Sequence, residues 1–188
     1  MKLAARPGVR TLCEVGFNGG HTAVNLLLAD PAAGSRLFAF DVGRHAAVKL
    51  GAAFAEENFP GRFELVLGDS RATLPEFARK RPDVRCDFIH IDGDKTYEGV
   101  RSDLANLRPL AASGAPGPPA GDPDAEAPDG GGGHTLIVND VGCTRAWCEG
   151  GTRAWSEAKE AGQVVQAACY SGFEGARGWC VGRYAKKK

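Results

Sequence analysis

Net charge is the first thing this chain lacks. Its 23 Lys+Arg are balanced by 23 Asp+Glu, so it carries no electrostatic footprint for a nucleic acid. No apolar run approaches the ~18 residues of a membrane span, which argues against a membrane partner. The opening Met-Lys-Leu-Ala-Ala-Arg-Pro-Gly has no signal-peptide apolar segment, and a cytoplasmic chain is the expectation. The six cysteines (Cys13, Cys86, Cys143, Cys148, Cys169, Cys180) never form a CxxC pair. Several stand inside apolar strand-like runs, so reduced thiols packed as small hydrophobes are expected.

What is present in excess is glycine and proline, 26 and 11 among 188 residues. Their main address is 113–133, with twelve Gly or Pro in 21 residues, no large hydrophobe and four acids. Such a stretch cannot bury enough apolar surface to offset its ordering entropy, so a disordered loop insertion is expected there. The rest alternates short apolar runs with amphipathic stretches in one domain over 1–188. Strands are predicted at 9–15, 36–41, 63–67, 86–92, 135–140, 164–170 and 178–184. Helices are predicted at 20–29, 46–58, 74–80, 97–110 and 146–161. Strands alternating with helices imply an α/β fold, Rossmann-like and doubly wound. The sheet should be mostly parallel and seven-stranded, closed by an antiparallel C-terminal pair.

In such sheets ligands bind beyond the carboxyl ends of the strands. Those ends carry Glu14-Val15-Gly16-Phe17-Asn18-Gly19-Gly20-His21-Thr22, then Asp41, Gly68-Asp69-Ser70, Asp92-Gly93-Asp94-Lys95 and Asn139-Asp140. An acid stands at each of five successive ends. The first turn is glycine-rich, yet its spacing departs from the dinucleotide GxGxxG, which sets aside an NAD-dependent oxidoreductase. An acid at the end of the second strand can accept hydrogen bonds from both ribose hydroxyls of a nucleoside.

The motif Glu-Val-Gly-x-x-x-Gly-x-Thr at 14–22, with Phe-Asp at 40–41 and Gly-Asp-Ser at 68–70, resembles class I S-adenosylmethionine-dependent methyltransferases. Phe-Ile-His-Ile-Asp-Gly-Asp-Lys-Thr-Tyr-Glu-Gly-Val at 88–100 and Leu-Ile-Val-Asn-Asp-Val at 136–141 are similar to metal-dependent O-methyltransferases. These are the catechol and caffeoyl-CoA types and the related sugar enzymes. The resemblance implies that Glu14, Gly16, Phe17, Gly20 and Thr22 shape the methionine end of a cofactor pocket. Asp41 would bind the ribose, Asp69 and Ser70 the adenine, and Asp92 would border the cofactor as well. It further implies that Asp92, Asn139 and Asp140 hold Mg²⁺, since hard oxygen donors suit that ion. The family usually has Asp-Asn or Asp-Asp where this chain has Asn-Asp.

Methyl transfer to a hydroxyl needs the acceptor oxygen held in line and at least partly deprotonated. A divalent cation would serve both ends. Lys95, three residues after Asp92, is implied as the general base, because a neighbouring cation disfavours the ammonium form. The acceptor would be a small-molecule hydroxyl. His90, between Ile89 and Ile91, is expected to be a satisfied core histidine, and His21 to cap or line the pocket. Tyr97 is open between packing and substrate contact. Trp147 and Trp155, eight apart, lie on one face of the fifth helix, with core packing as the default and Trp147 open as a wall of the acceptor site. Lys186-Lys187-Lys188 is assigned to a solvated tail. Only about eight residues precede the first strand, where family members carry covering helices. A second reading is thus a cofactor-binding module without turnover, and a homodimer would supply the missing cover.

Overall fold

The computed structural model describes residue 4 and residues 8–29, 34–113, 133–172 and 175–186. The loop expected at 113–133 therefore lies outside the described residues except for its two ends, as do the last two lysines of the tail. Among the described residues seven strands and five α-helices alternate up to a closing strand pair: β1 (Thr11–Val15), α1 (His21–Leu28), β2 (Arg36–Asp41), α2 (Ala46–Asn58) and β3 (Phe63–Leu67) come first. They are followed by α3 (Ser70–Lys80), β4 (Phe88–Ile91), α4 (Tyr97–Leu107), β5 (Thr135–Asn139), α5 (Ala146–Glu160), β6 (Val164–Gly172) and β7 (Arg177–Tyr184). A single 3₁₀ turn, Arg108–Leu110, extends α4. α3 begins four residues earlier than expected, because Asp69 caps it by accepting the Arg71 N–H.

The strands form one sheet in the order β3-β2-β1-β4-β5-β7-β6. β1 to β5 are parallel, and β7 lies antiparallel between β5 and β6. This is the doubly wound architecture expected from the alternation of elements. The period-two pattern of each strand divides the core between the two faces. Cys13, Val15, Phe38, Phe40, Ile89 and Ile91 pack against α3, α4 and α5. Leu12, Leu37, Ala39 and Phe88 pack with residues of α1 and α2 on the opposite face.

Two expectations are corrected. The six cysteines are joined as Cys13–Cys86, Cys143–Cys148 and Cys169–Cys180, where reduced thiols were expected. Spacing alone does not show this, because two of the pairs form only across the sheet. Cys13 on β1 lies 5.8 Å, Cα to Cα, from Cys86 at the entrance to β4. Cys169 and Cys180 are register partners of the β6–β7 pair. The second correction concerns Trp147, which is half exposed, whereas Trp155 is fully buried. Eight residues advance a helix about 80° beyond two full turns, enough to carry one ring off the buried stripe of Cys148, Gly151, Trp155 and Ala158. Trp155 also donates its indole N–H to Gln166 Oε1 at 2.8 Å.

The β1 and β4 ends meet at Gly16. Its φ is +94°, and a Cβ built there would lie 2.2 Å from the Asp92 carbonyl oxygen. Both the backbone conformation and the close approach demand glycine. Gly16→Ala should lower the urea midpoint by the equivalent of roughly 2–4 kcal/mol; an unchanged midpoint would contradict this close approach.

Candidate functional site

The strand order reverses between β1 and β4, so a crevice opens at their carboxyl ends. A cleft of about 590 Å³ occupies that place. Of the residues singled out from the sequence, Gly16, Asp41, Asp69, Ser70, Asp92, Lys95 and Asp140 line it. Glu14, Phe17, Gly20, Thr22 and Asn139 are not among its lining residues. Phe17 is buried instead, its ring 5.2 Å from that of Phe63, so it supports the turn from behind.

Glu14 also lies beneath the cleft. It is the register partner of His90 across β1 and β4, and its Oε1 stands 3.2 Å from His90 Nδ1. Identical strand polarity and even spacing put both side chains on one face, which is why the two find each other. Burial pushes the Glu14 carboxyl up, against the opposing influence of His90. The other oxygen, Oε2, has no hydrogen-bond partner. His90 is thus a core histidine with one partner, as its strand position suggested.

Asp41 closes β2 and ties down the glycine turn. Its Oδ2 accepts the Asn18 N–H at 2.9 Å and its Oδ1 the Gly43 N–H at 2.7 Å. Each oxygen keeps a lone pair for a further donor. Asp69 is held by Arg71, whose guanidinium pairs with both oxygens at 2.6–3.1 Å. That neighbour lowers the Asp69 carboxyl to about 2. Ser70 donates its hydroxyl to Asp103 Oδ1 at 2.6 Å.

The far end of the cleft is an ion-pair cluster. The Lys95 ammonium contacts Asp92 Oδ1 and lies 3.0 Å from Asp140 Oδ2. Arg177 Nη1 stands 3.1 Å from Asp140 Oδ1 and 3.4 Å from its Oδ2. Asp140 is buried and has φ +55°. Arg177, missed in the sequence, arrives from the start of β7. Gly178 delivers it there: a Cβ at that position would come within 2.4 Å of the Val141 carbonyl. No contiguous motif could announce it, because antiparallel pairing of β5 with β7 does the joining.

The expected metal ligands can be tested against this arrangement. Both Asp140 oxygens are engaged by cations, the Asp92–Asp140 gap is bridged by Lys95, and Asn139 does not line the cleft. The residues as arranged do not fit a divalent cation. Tyr97 donates its hydroxyl to Glu157 Oε2 at 2.5 Å and lies under the Arg153 guanidinium. It therefore ties α4 to α5.

Sheet order, glycine turn and acid-lined crevice together define a doubly wound α/β domain with its cleft at the switch point. A methyltransferase-domain family matches residues 13–116, more than half of the chain, and the chain belongs to that family. Among curated proteins none matches the sequence. The structure is similar to the O-methyltransferase TomG of Streptomyces achromogenes, involved in tomaymycin synthesis and solved with SAM. The TM-score is 0.71 at 18% identity, over 98% of this chain and 77% of that one. An O-methyltransferase from Bacillus cereus, solved with SAH, gives 0.70 at 18%, over 97% and 77%. The TDP-rhamnose 3′-O-methyltransferase CalS11 of calicheamicin biosynthesis gives 0.63 at 15%, over 97% and 75%. The chain thus spans about three quarters of the length of these proteins.

Asp103 is the second residue that sequence reasoning missed. It sits on α4, buried, with Oδ2 lacking a hydrogen-bond partner. Burial raises its carboxyl from 3.8 to about 6, against the hydrogen bond from Ser70. The folded state therefore keeps a proton that the unfolded chain releases between those values. This group favours folding most below pH 4, and its contribution is lost as pH rises through 6. Asp103→Asn should flatten the pH dependence of urea stability between pH 4 and 6. It should also gain up to about 3 kcal/mol at pH 7. An unchanged slope in that window would show that Asp103 titrates normally.

Proposed function

We propose that the chain transfers a methyl group from S-adenosylmethionine to a hydroxyl of a small molecule. The observation that carries this is Asp41 at the end of β2, bound to the backbone of the glycine turn and facing the cleft in a methyltransferase-family domain. In that place its free lone pairs suit the two ribose hydroxyls of a nucleoside. Asp69 and Ser70 border the same cleft from the α3 side, where the adenine would lie. Gly20 acts through the turn, where a Cβ would meet the Phe17 ring, and Glu14 lies beneath the cleft, paired with His90. The cofactor supplies an electrophilic methyl, and the chain supplies alignment and charge. The O-methyltransferases among its structural neighbours support a hydroxyl acceptor.

Lys95 is the group that faces the acceptor. Its two carboxylate partners suit an ammonium that stabilises the developing alkoxide. That differs from the neutral base implied by the resemblance. Asp92 and Asp140, on either side of Lys95, are then within reach to take the hydroxyl proton. The proton passes from the acceptor to a carboxylate as the oxygen bonds to the methyl. S-adenosylhomocysteine leaves as the second product. No step is routed through a divalent cation.

Calorimetry with S-adenosylhomocysteine tests the cofactor half. Binding is expected, and Asp41→Ala should weaken it at least tenfold, about 1.4 kcal/mol. A wild-type chain that binds none at millimolar ligand refutes the proposal. For the chemistry, methyl transfer to a panel of catechols and sugars should fall about 10²–10³-fold in Lys95→Met. Cofactor affinity should stay within a few-fold. Equal turnover by that variant would remove Lys95 from the mechanism.

A further inference from the structure

We propose that Lys95 and Arg177 together take the place of a divalent cation, so that the acidic end of the cleft works without bound metal. This rests on the methyltransferase reading for the identity of the cleft, but its central observation is independent of that reading.

Two carboxylates, Asp92 and Asp140, face the cleft at the ends of adjacent strands β4 and β5. Left unpaired, the buried Asp140 carboxylate would be expensive to desolvate. Two fixed positive charges cancel the pair's two negative ones: the Lys95 ammonium bridges both acids, and the Arg177 guanidinium engages Asp140 at 3.1 and 3.4 Å. A dication entering this cluster would have to expel both cations or raise the local charge by two. Like charges at this range repel, most strongly beside the buried Asp140. The geometry is equally unfavourable, since Lys95 bridges the two acids and Asn139 does not line the cleft.

Arg177 comes from the C-terminal hairpin, 37 residues beyond Asp140. Its remaining N–H groups have no hydrogen bond among the described residues and its side chain is 60% exposed. Beside Lys95 it presents hydrogen-bond donors to an acceptor oxygen, where a metal would present empty coordination positions. The site thereby selects an acceptor that can be held through one oxygen, with no need for two adjacent oxygens to chelate an ion.

Mn²⁺ is a spectroscopic stand-in for Mg²⁺, and the free aqueous ion gives a six-line paramagnetic resonance signal that binding suppresses. Wild-type chain titrated with Mn²⁺ up to 1 mM should leave that signal at its free value. The double variant Lys95→Met with Arg177→Met, which uncovers Asp92 and Asp140, should bind about one equivalent at least tenfold more tightly than wild type. Adding Asp140→Asn to the double variant should abolish that binding. One equivalent of Mn²⁺ bound by the wild type in the micromolar range would overturn the proposal. So would a folded double variant, verified by circular dichroism, that binds no Mn²⁺, because the two cations would then not be what excludes the ion. S-adenosylhomocysteine calorimetry on the wild-type sample separates the two readings. Loss of cofactor binding there refutes the methyltransferase reading and leaves the metal result standing.

Discussion

The contact between Gly16 and the Asp92 carbonyl is the constraint on which the rest of the cleft depends. It is a backbone-to-backbone approach with no room for a side chain. Because β1 and β4 meet so closely, the turn after β1 starts from a backbone conformation that favours glycine. Asp41 fastens that turn from the next strand through the Asn18 N–H. Beneath the cleft lie buried side chains such as Phe17, Glu14 and His90, which do not line it. A floor of this kind leaves the rim free to vary, consistent with the loop-borne chemistry of α/β enzymes.

Much of the fold was legible because the chain states it locally. Alternation along β1, β2 and β4 and the helical spacing of α1 and α2 are consequences of neighbours in sequence. The strand-end acids were legible for the same reason: once strands are placed, their carboxyl ends follow. Boundaries drifted where a cap decided them, as at α3, whose start was set by the Asp69 carboxylate rather than by hydrophobic spacing. Trp147 was misplaced because a spacing of eight only approximates a helical face.

What was not legible depends on chain segments far apart in sequence. Arg177 meets Asp140 only because β7 runs back beside β5. Asp103 meets Ser70 because α3 and α4 pack side by side. The cysteine pairs across β1–β4 and β6–β7 arise from sheet register. In each case one partner reads as an unremarkable surface or core residue until the topology brings the other. The metal-ligand pattern at 92 and 139–140 shows the converse, for the donor types are present in sequence while their charge is already balanced in space.

That balance bears on what kind of acceptor the cleft can serve. A divalent ion and a pair of side-chain cations both neutralise two carboxylates, but they differ in what they offer next. An ion offers vacant coordination positions and favours two oxygens at once. An ammonium and a guanidinium offer directed N–H groups on tethered stems, each suited to one oxygen lone pair. Tethered cations also demand no capture of a scarce ion before each turnover. They cannot, however, raise the acceptor's acidity as far as a bound metal does. On the methyl-transfer reading the carboxylates beside Lys95, Asp92 and Asp140, must then carry more of the proton transfer.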